Sequence, residues 1–188
     1  RYNMRTSWVP DGKPAPTPMY DAAMFGGVSR VILDTKKLKN ELRSGRADAL
    51  STALTSSNMA LGGTEYNCSG GRVPEGWVSC EETDRAGHGW AFLVQPDDST
   101  LTLPRKITSW GRFKREGIAL DTTTGITYMS EDDNTGCLYR HRPSDARQPM
   151  GVGRLEALAL VGTKPPSTGA QKGQRWSASW VGVPDPAA

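Results

Sequence analysis

Histidine and cysteine are scarce in this chain: its 188 residues hold two His and three Cys. His88 and His141 cannot alone build a histidine-rich metal centre, so any metal site must lean on carboxylates and thiolate. Cys68, Cys80 and Cys137 include no CxxC pair, which excludes the usual zinc-ribbon spacing. Two readings of the thiols stay open: three free cysteines, or a Cys68–Cys137 disulfide in an exported protein, with Cys80 left for metal. No apolar run approaches the ~20 residues of a helical membrane span, so none is expected. The first twenty residues contain four prolines and no signal-peptide core. Net charge is only +3 and no lysine–arginine run is long enough for a nucleic-acid arm. A nucleic-acid partner is therefore not expected. Hydrophobic content is low at 36%, with a mean hydropathy of −0.53.

Turn formers are plentiful instead. Gly 21 and Pro 13 favour short strands and many turns over long helices. Six Trp residues and alternating apolar runs argue against disorder over most of the chain. Arg1–Gly27 reads as a Pro-rich irregular lead-in. VSRVILD (Val28–Asp34) alternates and is β-branched, which predicts a strand. KKLKNELR (Lys36–Arg43) places Leu38 and Leu42 at helical spacing before Gly45, and Ala47–Thr55 can add a helical turn. Gly62 and Gly63 are expected to end that pattern and open a glycine-rich loop. From Gly76 short strand candidates recur: Trp77–Glu81, Trp90–Gln95, Thr100–Leu103, Gly117–Asp121, Ile126–Ser130 and Leu138–His141. Arg154–Val161 and Arg175–Val183 follow, separated by a Pro/Gly/Ser-rich connection at Gly162–Gly173. Strands ~8–12 residues apart with polar turns predict an all-β fold, whether sandwich, barrel or propeller. No clean internal repeat chooses among them. The expected division is an irregular lead-in with a small helical insert over 1–61 and a β-rich part over 62–188.

The chemistry concentrates in Gly62–Glu82, GGTEYNCSGGRVPEGWVSCEE. There a soft thiolate ligand, Cys80, lies against two hard ones, Glu81 and Glu82, a combination suited to iron or to iron with calcium. The competing reading is a buried structural cysteine at a strand end beside two solvated glutamates. On an ideal strand Glu81 points away from Cys80 and Glu82 returns to its side. Asp132 and Asp133 form a further hard-oxygen pair that could bind calcium, or simply a solvated turn.

A series of motifs in fixed order extends the pattern: Asn67–Gly71, Pro74, Ser79–Glu82, Gly87–Trp90, GRFKRE at Gly111–Glu116, Asp121–Asp133 and Leu138–Arg140. In this order they resemble the PhoX-type alkaline phosphatases and their wider family of propeller proteins (DUF839-like), over roughly Gly62–Arg142. The resemblance implies a β-propeller and a metal-dependent hydrolase of phosphate esters that uses iron and calcium, in a periplasmic or secreted protein. It implies metal ligands among Cys80, Glu81, Glu82, Glu116, Asp132 and Asp133, with Arg112 and Arg115 acting on the substrate phosphate and Asn67 binding substrate. One residue departs from the pattern: the family's G-R-F-x-H-E histidine is Arg115 here. Arginine cannot ligate a metal but can grip a phosphate oxygen or orient a carboxylate. The later segments that complete the family's site have no match after Arg142. The chain is therefore expected to be an internal piece of a longer protein, holding two or three blades. Two other functions fit the same residues: a non-catalytic propeller segment with structural calcium, or another propeller hydrolase such as a lactonase. Composition carries no information on the oligomeric state.

Overall fold

The computed structural model describes residues 19–21, 23–24, 26–96, 103–161 and 172–186. The predicted strand Thr100–Leu103 and the connection Gly162–Gly173 fall largely outside them, as does most of the Pro-rich lead-in. The chain divides into two compact units, one of 1–67 with 94–105 and one of 68–93 with 106–188.

In the first unit β1 (Gly26–Leu33) pairs antiparallel with β2 (Leu54–Thr64). Two short helices, α1 (Thr35–Arg43) and α2 (Ala49–Ala53), are inserted between them. Asp34 starts α1: its carboxylate accepts the Lys37 N–H at 2.9 Å, satisfying one of the first turn's orphan donors. The expected glycine break is replaced by continuous strand, since β2 runs through Gly62 and Gly63 to Thr64. These glycines serve a close approach of backbone instead. The Gly62 and Gly63 carbonyls accept the N–H groups of Tyr20 and Asp21, each at 3.0 Å. At Gly63 the backbone is left-handed (φ 79°), and a Cβ there would stand 2.6 Å from the Asp21 carbonyl oxygen.

The nine-stranded sheet is built from β3 (Asn67–Val73), β4 (Gly76–Glu81), β5 (Ala91–Val94), β6 (Arg105–Lys106), β7 (Arg115–Leu120), β8 (Thr127–Glu131), β9 (Leu138–Pro143), β10 (Gly153–Leu160) and β11 (Ala178–Gly182). The segment expected as a glycine-rich loop is thus mainly the β3–β4 hairpin. Its sheet order is β11-β10-β9-β8-β7-β3-β4-β5-β6. Two runs of strands therefore start at a seam, β3 outward to β6 and β7 outward to β11, each in chain order. Along the second run every neighbouring pair is antiparallel, whereas β3 and β7 meet in parallel at Gly70 and Gly117. Two meanders with their first strands side by side have the connectivity of successive propeller blades. The fold is all-β with a small helical insert.

The core of this unit lies under the seam. Val73, Val78, Cys80, Ala91, Ile107, Trp110, Phe113, Met129 and Leu155 are buried together, with Ile118, Leu120 and Tyr139 packed against them. Trp110 is wholly enclosed and still satisfies its indole N–H, which donates to the Pro149 carbonyl at 3.0 Å.

Candidate functional site

Alternation along β4 decides what the Cys-Glu-Glu triplet can do. Val78 and Cys80 turn into the apolar core, and the cysteine has no exposed surface. Burial pushes its thiol up to about 12, against the opposing pull of the Arg115 cation. Glu81 is equally buried but meets polar groups. One carboxylate oxygen lies 2.7 Å from His88 Nδ1, and the other accepts the N–H groups of Gly89 at 2.9 Å and Trp90 at 3.1 Å. A carboxylate so engaged is a structural clamp on the segment that follows the strand.

Arg112 grips the same segment from its other side. Its Nη1 donates to the carbonyls of Asp84, Arg85 and His88 at 3.2–3.3 Å. The connection between β4 and β5 is therefore held by an anion at its end and a cation along its length. Glu82, half-buried, stands at the root of this clamped segment.

On β7 a register shift lies between Arg115 and Ile118: Arg115 pairs with Glu131, yet Ile118 pairs with Met129. The extra residue is a bulge, and Gly117 N–H fills the broken ladder by donating to Ser130 Oγ at 3.1 Å. Without it Arg115 and Ile118, three apart, would face opposite ways. With it Arg115 is buried, Ile118 packs on the core, and Glu116 between them is left exposed. Arg115 is fully enclosed, with one terminal nitrogen donating to the Trp110 and Gly111 carbonyls at 2.8 Å each. Its guanidinium carbon sits 4.0 Å from the centre of the Phe113 ring. The other two guanidinium nitrogens, Nε and Nη1, have no hydrogen-bond partner. Burial lowers its pKa to about 10, so the group stays a cation at neutral pH. It lies too deep to touch a substrate.

The seam also gathers a group that reading the residues alone did not single out. Cys68, at the start of β3, hydrogen-bonds to Glu82, and that bond, then partial burial and the charges of Glu82 and Glu116, holds its thiol above the ordinary value. Of the expected metal-binding residues, Glu82 and Glu116 are thus brought to one place, and the thiol they share is Cys68. Cys80 lies behind it, close enough for the two sulfurs to interact electrostatically. All three cysteines are free, so no Cys68–Cys137 disulfide forms. Asp132 and Asp133 lie in an exposed turn, where Asp133 Oδ1 accepts from Thr135 N–H at 2.9 Å and its hydroxyl at 2.8 Å. Asn67 belongs to the first unit, where its Oδ1 accepts the Thr64 hydroxyl at 2.6 Å. Among the described residues no three His, Cys, Asp or Glu side chains already form a metal cage.

A model of the family described as alkaline phosphatase PhoX matches residues 32–188. The chain belongs to the PhoX alkaline phosphatase family. Among solved structures, PhoX of Pseudomonas fluorescens in complex with vanadate, a transition-state analogue, is similar at 21% identity and a TM-score of 0.49. That match covers 66% of this chain and 30% of the other. No curated protein matches.

The metals implied by PhoX membership fit this chain unevenly. Glu82 and Glu116 offer carboxylate oxygens at the surface of the seam, the donor type that hard cations take. Cys80 does not fit iron: its thiol has no exposed surface, and the side chains buried in one cluster with it are apolar, with no oxygen or imidazole ligand among them. Glu81 does not fit either, because both of its oxygens are engaged with His88, Gly89 and Trp90.

Proposed function

We propose that this chain supplies one wall of a metal-assisted phosphoric-ester hydrolase acting on a small phosphate ester. The observation that carries this reading is the meeting of Cys68, Glu82 and Glu116 at the β3–β7 seam of a PhoX-family chain. Glu82 and Glu116 would hold a hard cation of the calcium class, which supplies positive charge to phosphoryl oxygens when bound. The remaining work falls to the chain's own groups. Glu81 and Arg112 keep the segment after β4 rigid, so Glu82 keeps its place without loop reorganisation. The bulge beside Gly117 turns Glu116 outward toward the same place. Arg115 ties β7 to the Trp110–Gly111 carbonyls and so supports the strand that carries Glu116.

The test is calcium occupancy by elemental analysis, alongside hydrolysis of p-nitrophenyl phosphate, for the wild type and Glu116→Gln. Glutamine keeps the shape and removes the charge. We expect calcium affinity to fall about 10-fold or more, the scale of losing one supporting group at a metal, with the circular dichroism spectrum unchanged. Equal calcium binding in both proteins would remove Glu116 from the site. Calcium binding without hydrolysis would favour the non-catalytic reading of the same residues.

A further inference from the structure

We propose that the Arg115 guanidinium stands where a metal cation would otherwise sit beside Cys80, so that in this chain the Cys80 sulfur holds no iron. The inference deepens the proposed function by saying which ligand set of the site is used. It rests on that reading only for the location of the site.

Three observations carry it. Arg115 is completely buried, on the bulged strand that also presents Glu116. Only one of its terminal nitrogens is satisfied, by the Trp110 and Gly111 carbonyls, while Nε and Nη1 have no acceptor. Its guanidinium carbon lies 4.0 Å from the centre of the Phe113 ring, and Phe113 is buried in one cluster with Cys80. A buried cation with unfilled donors is already costly, because its charge has lost the hydration water would supply, and the Cys80 sulfur shares its buried surroundings. A divalent or trivalent ion on the same sulfur would set two positive centres together in a water-free pocket. In such surroundings repulsion between like charges is far stronger than in water. Cys80 packs among Val78, Ala91, Trp110 and Phe113, which add no oxygen or nitrogen side-chain donor to complete an iron shell. The carboxylate next to it, Glu81, is committed to His88, Gly89 and Trp90. The position therefore has one fixed positive charge and no room, electrically, for a second.

The experiment measures iron per chain and the visible absorption of a thiolate-to-iron charge transfer. It uses protein purified without chelator and supplied with ferrous, ferric and calcium salts. Wild type and Cys80→Ser should carry the same iron, with no charge-transfer band in either. Arg115→His removes the fixed charge and supplies an imidazole, so iron per chain should rise about 10-fold or more. A visible band should appear with it, and adding Cys80→Ser to Arg115→His should abolish both. Wild-type protein with a band that Cys80→Ser removes overturns the proposal, and so does a folded Arg115→His chain that gains no iron. Should Arg115→His fail to fold, the wild-type and Cys80→Ser comparison decides alone: equal iron supports the proposal and a loss overturns it. Calcium at Glu82 and Glu116 is counted separately in the same samples. Loss of the calcium site therefore speaks against the proposed function and not against this inference.

Discussion

Removing the Glu81 carboxylate separates a structural clamp from a metal ligand, and the two roles differ in size and in their dependence on metal. In Glu81→Ala three groups lose an acceptor at once: the Gly89 and Trp90 N–H groups and the His88 ring nitrogen. Both side chains of the Glu81–His88 pair are essentially buried, so water does not replace what is lost. At about 1–3 kcal/mol for each buried group left unsatisfied, and allowing for partial relaxation, the loss is about 3–6 kcal/mol. That is a large part of the ~5–15 kcal/mol that holds a typical domain folded. Glu81→Gln is the informative partner. Its oxygen can still accept from Gly89 and Trp90, and its NH2 can donate to His88 Nδ1 once the ring adopts the other tautomer. What remains is the loss of charge assistance, about 1–2 kcal/mol. Urea unfolding followed by tryptophan fluorescence, with and without added calcium or iron, measures both variants. The clamp predicts a severe alanine variant, a mild glutamine variant, and differences independent of added metal. An alanine variant within about 1 kcal/mol of wild type would refute the reasoning. So would a glutamine variant as damaged as alanine and different from wild type only when metal is present.

Two further outcomes follow from the same geometry. Gly70→Ala should cost about 3 kcal/mol or more, because Gly70 has φ +73° and a Cβ there would be driven onto the Val78 carbonyl oxygen of the partner strand. A shift in urea midpoint worth less than about 1 kcal/mol would contradict it. Burial holds the His141 imidazole below its ordinary 6.5, so the folded state favours the neutral ring. The stability this contributes is present above pH 6.5 and is lost as pH falls from there through the lower folded value. His141→Gln should therefore flatten the fall in stability between pH 7 and pH 5, and an unchanged slope would assign the fall to other groups.

Much of the fold was legible in local pattern. The strands at Val28, Trp77, Trp90, Ile126, Leu138 and Arg154 were readable because alternation with β-branched or aromatic residues is a property of a few neighbouring positions. The helix after Asp34 was readable in the same way from its Leu38–Leu42 spacing before Gly45. Gly62–Gly63 misled because a glycine's role depends on what approaches it, and the chain at Tyr20–Asp21 that does so is distant in sequence. Family membership was legible in the order of the motif residues. Their division of labour was not. Alternation put Glu81 and Cys80 on opposite faces, but only packing could show both faces buried, one apolar and one lined with donors. Whether a carboxylate at the end of a strand holds a loop or a ligand is decided by the N–H groups that fold back onto it. The bulge that sends Arg115 inward and leaves Glu116 exposed is set by the register against β8, and no stretch of β7 alone contains it. The placing of Cys68 beside Glu82 and Glu116 likewise needs three strand ends, distant along the chain, to meet at one seam. Sequence determined which residues are able to bind a cation or an anion; tertiary structure decided which of them still have charge and lone pairs to spare.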